Sequence, residues 1–403
     1  MGCSIIVTEP LVGSRHLFLV PTPACDQTAA VSRIGIVHAV AREGGTSVRV
    51  AWWHAVLSMA GYETRDLPAL APGGSVRARG GDHLGAVIRG AAVPETLAWS
   101  GRRVAALVSD AGVDAVVVVT LRSFDARHLP ADMPILVDLV DRLSESYRQR
   151  AAVDRRLVRR AGWKLLGYSH ARTESWVRGE RRWPTVAAGR ADAALLGAAW
   201  LPMTIGDACF DDEHDEHDGD DRSGMRWDVL FTGTLDYPPN VAAVRALAQE
   251  IMPVVREARP GATLCVAGRR PTPEVRHLVD SIGADLVEGF DDYRELAVSA
   301  RVAVAPLVHA TGFQIKVLDA VRTRRPQVVT PVVASGFDPE LPMRVAPVGP
   351  SFAEEIVRLL DDPSDAASLA SAAWEHARVC YSTEHWVGEV RRRLDETLAH
   401  RPR

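Results

Sequence analysis

Short apolar segments typical of buried strands alternate with amphipathic segments typical of helices in both halves of the chain. Strands that alternate with helices favour a parallel sheet with helices on both faces. The alternation is clearest in the second half, where strands are predicted at 228–232, 263–267, 285–288, 302–307 and 327–330. We therefore predict an α/β protein with two doubly wound, Rossmann-like domains in tandem. Such domains leave a central cleft between the carboxyl ends of their strands, where ligands bind.

An acidic segment, DACFDDEHDEHDGDD at 207–221, divides the chain of 403 residues. It can bury almost no apolar surface, so residues 207–224 are predicted to be a linker or surface loop. This division predicts an N-terminal domain at 1–206 and a C-terminal domain at 225–380. Residues 381–403 are predicted to form a C-terminal helix, for which packing back on the N-terminal domain is one option.

Composition and charge argue against several classes of protein. A net charge of −4 and a pI near 6.4 do not suggest a nucleic-acid-binding protein, because phosphate-tracking surfaces need a basic excess. Five cysteines without CxxC spacing favour reduced thiols and a cytoplasmic protein. No apolar run reaches the roughly 20 residues that a membrane-spanning helix needs. His214 and His217 lie among the aspartates of the acidic segment, where a solvated linker is favoured over a metal site, so no metal or cofactor is expected.

Lys316 is one of only two lysines in a chain that otherwise uses arginine. It follows the predicted strand Val302 to Leu307, a turn that contains Gly312, and the start of a helix predicted from about Gly312 to Thr323. A strand, a glycine-containing turn and a helix direct free backbone N–H groups and the positive helix end at an anion. A lysine there adds a compact positive charge. The pattern predicts a phosphate or diphosphate ligand.

Four turns follow predicted strands of the second half and would meet at one edge of the sheet. They contain Gly233 and Thr234, Gly268 and Arg269, Gly289 and Phe290, and His309 to Gly312. Taken singly, each glycine is explained by a tight turn, but together with Lys316 they predict a nucleotide site. Asp319 lies on the same helix face as Lys316. Its carboxylate either accepts two ribose hydroxyls or forms an ion pair with Lys316.

The acceptor side of the cleft is assigned to residues of the first half. Gly44 and Gly45 precede a helix and either admit a ligand close to the backbone or form a plain turn. Asp138 and Asp141 follow a strong strand and either orient an acceptor or serve as a strand-end turn and helix cap. An arginine-rich helix is predicted from about Leu143 to Leu166; it either contacts an anionic membrane or lipid diphosphate, or has a solvated face.

Four segments of the second half resemble the donor-binding domain of the family-four group of retaining glycosyltransferases, which have the GT-B architecture (glycosyl transferases group 1). They are FTGTLDYPPN, CVAGRRPTPEV, VEGFDD and VAPLVHATGFQIKVLDAVRTRRPQVVT, within residues 226–340. The first half resembles the family more weakly, through Gly44–Gly45 and PILVDLVDRLSESY. No GxGxxG follows a predicted strand, and no Walker loop or GxSxG is present.

The resemblance implies transfer of a sugar from a nucleotide diphosphate donor with retention at the anomeric carbon, without a metal. It implies catalytic roles for Lys316 and Arg269, which would stabilise the leaving diphosphate. The remaining implied donor contacts are Gly233, Thr234 and Gly268 near the diphosphate, Gly289 and Phe290 around the base, Asp319 at the ribose, and His309, Thr311, Gly312, Phe313 and Gln314 towards the sugar. The acceptor would be a polysaccharide, a lipid-linked sugar or a secondary metabolite.

Three departures from the family pattern keep alternatives open. The arginine and lysine that often follow the first strand's glycine in the family are absent from GTLDYPPN. Where the family has two glutamates separated by seven residues, this chain has Thr311 and Asp319. Where the family often has a histidine between two aspartates, it has Val140. The alternatives are an enzyme of the same fold that couples an activated cyclitol, and a catalytically inactive partner protein. Peripheral membrane contact and the oligomeric state are left open.

Overall fold

Two six-stranded parallel sheets organise the chain in a computed structural model, which describes residues 3–4, 20–21, 32–38, 45–68, 101–123, 132–154, 156–179, 183–206, 225–290 and 293–399. The acidic segment and Gly44 lie outside the described residues. The strands are β1 Cys3–Ser4, β2 Val20–Pro21, β3 Arg33–His38, β4 Glu63–Pro68, β5 Ala115–Val119, β6 Ile135–Asp138, β7 Thr185–Ala187, β8 Ala199–Trp200, β9 Trp227–Thr232, β10 Leu264–Gly268, β11 Asp285–Glu288, β12 Ala300–Ala305, β13 Gln327–Val329 and β14 Arg344–Val345. Strands β1 and β2 form a separate antiparallel pair.

Helices connect and cover the strands of both sheets. The α-helices among the described residues are α1 Gly45–Met59, α2 Gly101–Ala111, α3 Leu143–Val153, α4 Leu157–Gly179, α5 Arg190–Leu196, α6 Pro238–Ala246, α7 Met252–Ala258, α8 Pro273–Ser281, α9 Tyr293–Val298, α10 Ile315–Arg322, α11 Pro331–Ala334, α12 Pro350–Asp361, α13 Pro363–Cys380 and α14 Thr383–Ala399. A short π-helical segment, Leu247–Ile251, joins α6 to α7.

The strand order places a ligand cleft at the middle of each sheet. The first-half sheet runs β4-β3-β5-β6-β7-β8 and the second-half sheet runs β11-β10-β9-β12-β13-β14. In the first half, the strands before β5 are added on one side of β3 and those from β5 onward on the other. In the second half, the same change of side occurs between β9 and β12. Ligands of doubly wound sheets bind outside the carboxyl ends of the strands at such a change of side. The five strands predicted in the second half correspond to β9–β13, and this part of the prediction is confirmed.

Both faces of the second-half sheet are buried, as the continuous apolar strands require. Val229 and Phe231 of β9 pack into the larger core on one face, whereas Leu230 packs with Cys265 on the other. The first half behaves likewise, because every residue of the AVVVV segment of β5 is fully buried. Each valine side chain of β5 contributes about 1.5–3 kcal/mol when it is removed from water.

Two helices differ from the sequence prediction at their ends. The arginine-rich helix predicted from Leu143 to Leu166 is divided into α3 and α4, because the backbone at Asp154 is extended. The helix predicted to begin near Gly312 begins at Ile315 instead. Gly312 has a φ of 70°, a left-handed conformation that cannot belong to a right-handed helix.

The last helix, α14, returns to the first half of the molecule. Val390 and Leu394 are fully buried in one cluster with Trp52 of α1. The Tyr62 hydroxyl donates to Asp395 at 2.9 Å. Arg391 donates to the backbone carbonyl of Ala60 at 2.9 Å.

Candidate active site

A cleft of about 1740 Å³ lies between the two halves, with walls formed by residues from both. Its second-half wall contains the turns after β9 and β10 and the start of α10, and its first-half wall contains the segment after β6 and parts of α3 and α4. A volume of this size exceeds the roughly 300–1,000 Å³ of a pocket for one small molecule. The cleft therefore has room for two substrates at once.

Glycines bring the turns of the second-half wall into direct contact. Gly233 N–H donates to Ala267 at 3.0 Å, and Gly289 N–H donates to Gly268 at 3.1 Å. A Cβ atom at Gly268 would overlap the carbonyl oxygen of Gly233. At Gly268 glycine is required by backbone packing, whatever ligand binds.

Lys316 is the second residue of α10 and lines the cleft. Its ammonium donates to Asn240 Oδ1 at 3.1 Å and lies 4.4 Å from the centre of the Phe231 ring. No carboxylate of the described residues is within ion-pair distance of it. Burial lowers the Lys316 pKa to about 7, and the charge of Asp319 opposes this shift only in part. Among the described residues, therefore, only the more distant charge of Asp319 acts on this ammonium.

The beginning of α10 is open towards the same part of the cleft. Gln314 is the N-cap residue, but its side chain caps none of the first N–H groups and donates instead to the Thr311 carbonyl at 3.2 Å. Gln314, Ile315 and Lys316 all line the cleft. Free N–H groups beside an ammonium favour an anion at this point.

Asp319 does not form the predicted alternative ion pair with Lys316. Its carboxylate lies 3.5 Å from Arg322 Nε, an i,i+3 pair on the same helix. Asp319 still lines the cleft, about one turn beyond Lys316. The ribose role implied by the resemblance stays a prediction.

Two carboxylates of the first half hold the loop that precedes α10. Thr311 donates its hydroxyl hydrogen to Asp141 Oδ2 at 3.2 Å, and Gly312 donates its N–H to Asp192 Oδ2 at 2.6 Å. Burial raises the pKa of Asp141 to about 6, although the nearby positive charge of Arg122 opposes that rise. Burial also raises the Asp192 pKa. The loop predicted to face the donor sugar thus bridges the two walls.

The structure corrects the predicted acceptor role of Asp138. Its side chain is fully buried, where Oδ2 accepts hydrogen bonds from Arg49 Nε at 2.7 Å and Trp53 Nε1 at 2.6 Å. Its Oδ1 accepts from the Val140 N–H at 3.0 Å, which makes it a strand-end turn residue. Asp138 therefore cannot reach an acceptor, whereas Asp141 lines the cleft.

Most of the predicted donor-side residues lie together on the cleft wall. They are Gly233, Thr234, Gly268, Arg269, Phe290, Thr311, Gly312, Phe313, Gln314, Lys316 and Asp319. Gly289 and His309 do not line the cleft. Gly289 has a φ of 71° and serves the turn after β11. Gly45 is the first residue of α1, and its predicted partner Gly44 is outside the described residues.

Several cleft residues were not predicted from the sequence. Asn240, interpreted only as part of a helix start, holds both Lys316 and the Thr234 carbonyl, the latter at 2.9 Å. On the first-half wall, Arg122, Arg150 and Trp163 line the cleft. Arg150 belongs to the arginine-rich helix, for which contact with an anionic membrane or a lipid diphosphate was one predicted alternative; its position in this cleft was not predicted.

Metal binding and membrane insertion are two further properties on which the described part of the chain bears. No group of three or more metal-ligating side chains converges there. None of the described helices combines the length and the apolar character needed to cross a membrane.

Comparisons with known proteins concern the family and the fold. Residues 226–362 match the family described as glycosyl transferases group 1. The fold is similar to that of AviGT4, a glycosyltransferase involved in avilamycin A biosynthesis, with 16% identity, a TM-score of 0.53 and coverage of 91% of this chain and 98% of that one. It is also similar to that of sucrose-phosphate synthase from Thermosynechococcus elongatus, with 13% identity, a TM-score of 0.63 and coverage of 91% of this chain and 99% of that one. A third similar structure is HepE from Anabaena in complex with UDP and glucose, with 12% identity, a TM-score of 0.55 and coverage of 92% of this chain and 100% of that one. No curated protein sequence matches the chain. The two sheets and these similarities confirm the predicted two-domain GT-B fold.

Proposed function

We propose that this protein of GT-B fold is a group 1 glycosyltransferase, which transfers a sugar from a nucleoside diphosphate sugar to an acceptor bound against the first-half wall, with retention of the anomeric configuration. The observation that carries the proposal is Lys316, a cation without a carboxylate partner among the described residues, beside the open N-terminus of α10. A diphosphate would supply the missing negative charge. The complex of HepE with UDP and glucose, a protein of similar fold, supports a nucleotide of this kind.

The proposed reaction breaks the bond between the anomeric carbon and the diphosphate and forms a new bond to an acceptor oxygen. Negative charge grows on the departing diphosphate, so cations fixed beside it stabilise the transition state more than the bound donor. Lys316 and Arg269 would supply that charge, and the first N–H groups of α10 would add hydrogen bonds. No metal is required in this scheme.

The acceptor hydroxyl must lose its proton as the new bond forms. We assign this role to Asp141, because its carboxylate lines the cleft and accepts a hydrogen bond from Thr311, in the loop for which a sugar-facing role is proposed. A carboxylate with a pKa of about 6 is ionised at neutral pH yet basic enough to attract a proton. Asp141 is the proposed acceptor-side base.

The contact between Thr311 and Asp141 also bears on the two alternative functions. Thr311 stands where the family has its first glutamate, but the first half brings a carboxylate to within 3.2 Å of its hydroxyl. This favours a competent enzyme over an inactive partner. An enzyme that couples a cyclitol would use the same anion site, and only assays with defined donors and acceptors separate it from a glycosyltransferase.

Binding of nucleotides tests the proposal first. Melting temperatures measured with UDP, GDP, dTDP and ADP should rise for one base, since a ligand that binds only the native state stabilises it. Lys316→Met should abolish that rise. Lys164→Met is the matched control, because Lys164 is exposed on α4, away from the cleft lining. A full rise in Lys316→Met would contradict the assignment of the anion site.

Turnover tests the second part of the proposal. The wild-type protein, given the nucleotide sugar with the preferred base, should release the nucleoside diphosphate faster when an acceptor is present. Absence of release with any donor that binds would favour the inactive partner.

A further inference from the structure

Four arginines form a basic surface on the first-half wall of the cleft, called here the arginine patch. Its members are Arg122, Arg150, Arg156 and Arg159. Among the described residues, only two carboxylates, Asp141 and Asp154, line the cleft on the same wall. Asp154 is already engaged by Arg159 at 3.3 Å and by the Trp163 indole at 3.0 Å. Among the residues that the structure describes, arginines thus outnumber carboxylates in the lining of this wall.

Arg150 is the member that lies among three aromatic rings. The centre of its guanidinium lies 5.4 Å from the Tyr147 ring, 5.6 Å from Trp163 and 5.7 Å from Tyr237. Its Nε is buried and has no hydrogen-bond partner among the described residues. Aromatic rings stabilise the charge but accept no conventional hydrogen bonds from its N–H groups. A buried donor without an acceptor is costly unless a ligand supplies one.

The patch continues directly from the proposed base. The positive charge of Arg122 acts on Asp141, which accepts the hydrogen bond from Thr311. Arg122 and Arg150 lie near the same ring, with their guanidinium centres 5.8 and 5.4 Å from the centre of Tyr147. An acceptor whose hydroxyl reaches Asp141 would thus place its neighbouring groups against Arg122 and Arg150.

We propose that the acceptor carries a phosphate group, which the arginine patch binds through Arg150 and Arg122. This inference rests on the proposed function and adds the chemical class of the acceptor to it. Guanidinium groups bind phosphate oxygens through paired, charge-assisted hydrogen bonds, a geometry that a neutral sugar hydroxyl cannot match. The donor diphosphate has its own cations, Lys316 and Arg269, on the opposite wall of the cleft.

The experiment measures phosphate binding while the nucleotide site is filled. Protein saturated with its preferred nucleoside diphosphate is titrated with inorganic phosphate, or with chloride at the same ionic strength, and the melting temperature is followed. Glucose 6-phosphate and glucose form a second matched pair of probes. Wild-type protein should respond saturably to phosphate and glucose 6-phosphate, but not to chloride or glucose.

Variants assign the response to the patch. Arg150→Met should weaken phosphate binding by about tenfold or more, because charge-assisted hydrogen bonds are lost and the side-chain volume is kept. Arg148→Met is the control on the same helix, since Arg148 is exposed and pairs with Glu145. Its response should equal that of the wild type. Arg122→Met gives a second test, should Arg150→Met fail to fold.

Three outcomes overturn the inference. In the first, phosphate raises the melting temperature of the nucleotide-loaded protein no more than chloride does. In the second, the variants at positions 150 and 122 bind phosphate as the wild type does. In the third, Arg150→Met loses affinity for the nucleoside diphosphate while phosphate binding survives, which assigns the patch to the donor. Nucleoside diphosphate binding that depends on Lys316 but is not accompanied by phosphate binding overturns this inference alone. Absence of nucleoside diphosphate binding overturns the proposed function instead.

Discussion

Lys316 is the residue whose charge depends most on what the cleft holds. Burial lowers its pKa to about 7, so the ammonium loses its proton as the pH rises above neutrality. A bound diphosphate favours the charged form and raises that pKa again. Binding therefore takes up a proton above pH 7, and affinity for the nucleoside diphosphate should fall by up to about tenfold per pH unit. Calorimetric titration between pH 7 and 9 measures this dependence.

Lys316→Arg is the control for titration of the Lys316 ammonium, since a guanidinium stays protonated between pH 7 and 9. It should bind more weakly than the wild type at pH 7, because its planar fork replaces a compact ammonium, but its affinity should not change with pH. A wild-type affinity that is equally independent of pH would contradict the assignment of Lys316 to the diphosphate.

Asp141 should show opposite effects on activity and on stability. Its pKa is about 6 in the folded protein against 3.8 for a free side chain, so the folded state loses stability as the pH rises through this interval. Asp141→Asn should therefore unfold at a higher temperature at pH 7.5, with a gain of about 1–3 kcal/mol that disappears near pH 4. Its turnover should fall by about 100-fold or more. Parallel melting curves and rates at both pH values measure the two effects, and an unchanged rate would exclude Asp141 as the base.

Asp138 in β6 and Asp141 in the turn after it show how far the role of a single residue could be predicted from the sequence. Asp138 and Asp141 are the same residue type three positions apart, and only one reaches the cleft. Between them Val140 has a φ of 62°, an uncommon conformation for a β-branched residue. Residue type predicted the chemistry, but the turn that selects the residue depends on tertiary contacts such as the pair between Asp138 and the distant Arg49.

At the scale of elements, the contact between the turns after β9 and β10 depends on Gly268. A Cβ atom there would overlap the Gly233 carbonyl oxygen, and backbone atoms cannot move aside as a side chain can. Gly268→Ala should lower the free energy of unfolding by about 3 kcal/mol or more. Gly388→Ala is the control, because a Cβ at this position of α14 meets nothing within 4 Å and should stabilise the helix by about 0.5–1 kcal/mol. Urea unfolding measures both, and equal effects would contradict the packing role of Gly268.

The second-half strands β9–β13 were predicted well, whereas β3 and β7 of the first half were not predicted and several helix ends were misplaced, for a physical reason. Strands such as β5 are buried on both faces, so their continuous apolar runs are visible in the sequence. Helix ends depend on one or two backbone conformations, as at Gly312 before α10 and Asp154 after α3. Apolar periodicity does not contain that information.

At the scale of the whole molecule, contacts between the halves could not be predicted from local patterns. Thr311 and Asp141 are separated by 170 positions, and the sequence assigned them to donor and acceptor sides without placing them together. The alternation of strands and helices predicted two sheets and a cleft between them. It did not specify which side chains meet across that cleft, because this depends on how the two halves are oriented and on close approaches such as that of Gly189 to the Gly312 backbone.

The return of α14 to the first half gives a test of long-range packing. Leu394 is fully buried in the cluster that contains Trp52 of α1, so its truncation leaves a cavity between elements far apart in the chain. Leu394→Ala should lower the free energy of unfolding by about 2–5 kcal/mol. Leu195→Ala, a matched change at a side chain that is 58% exposed, should change it by less than about 0.5 kcal/mol. If α14 stabilises the first half, Leu394→Ala should also increase amide hydrogen exchange in α1 while leaving β9 and β10 protected. Equal exchange in α1 of the variant and the wild type would show that α14 does not support the first-half fold.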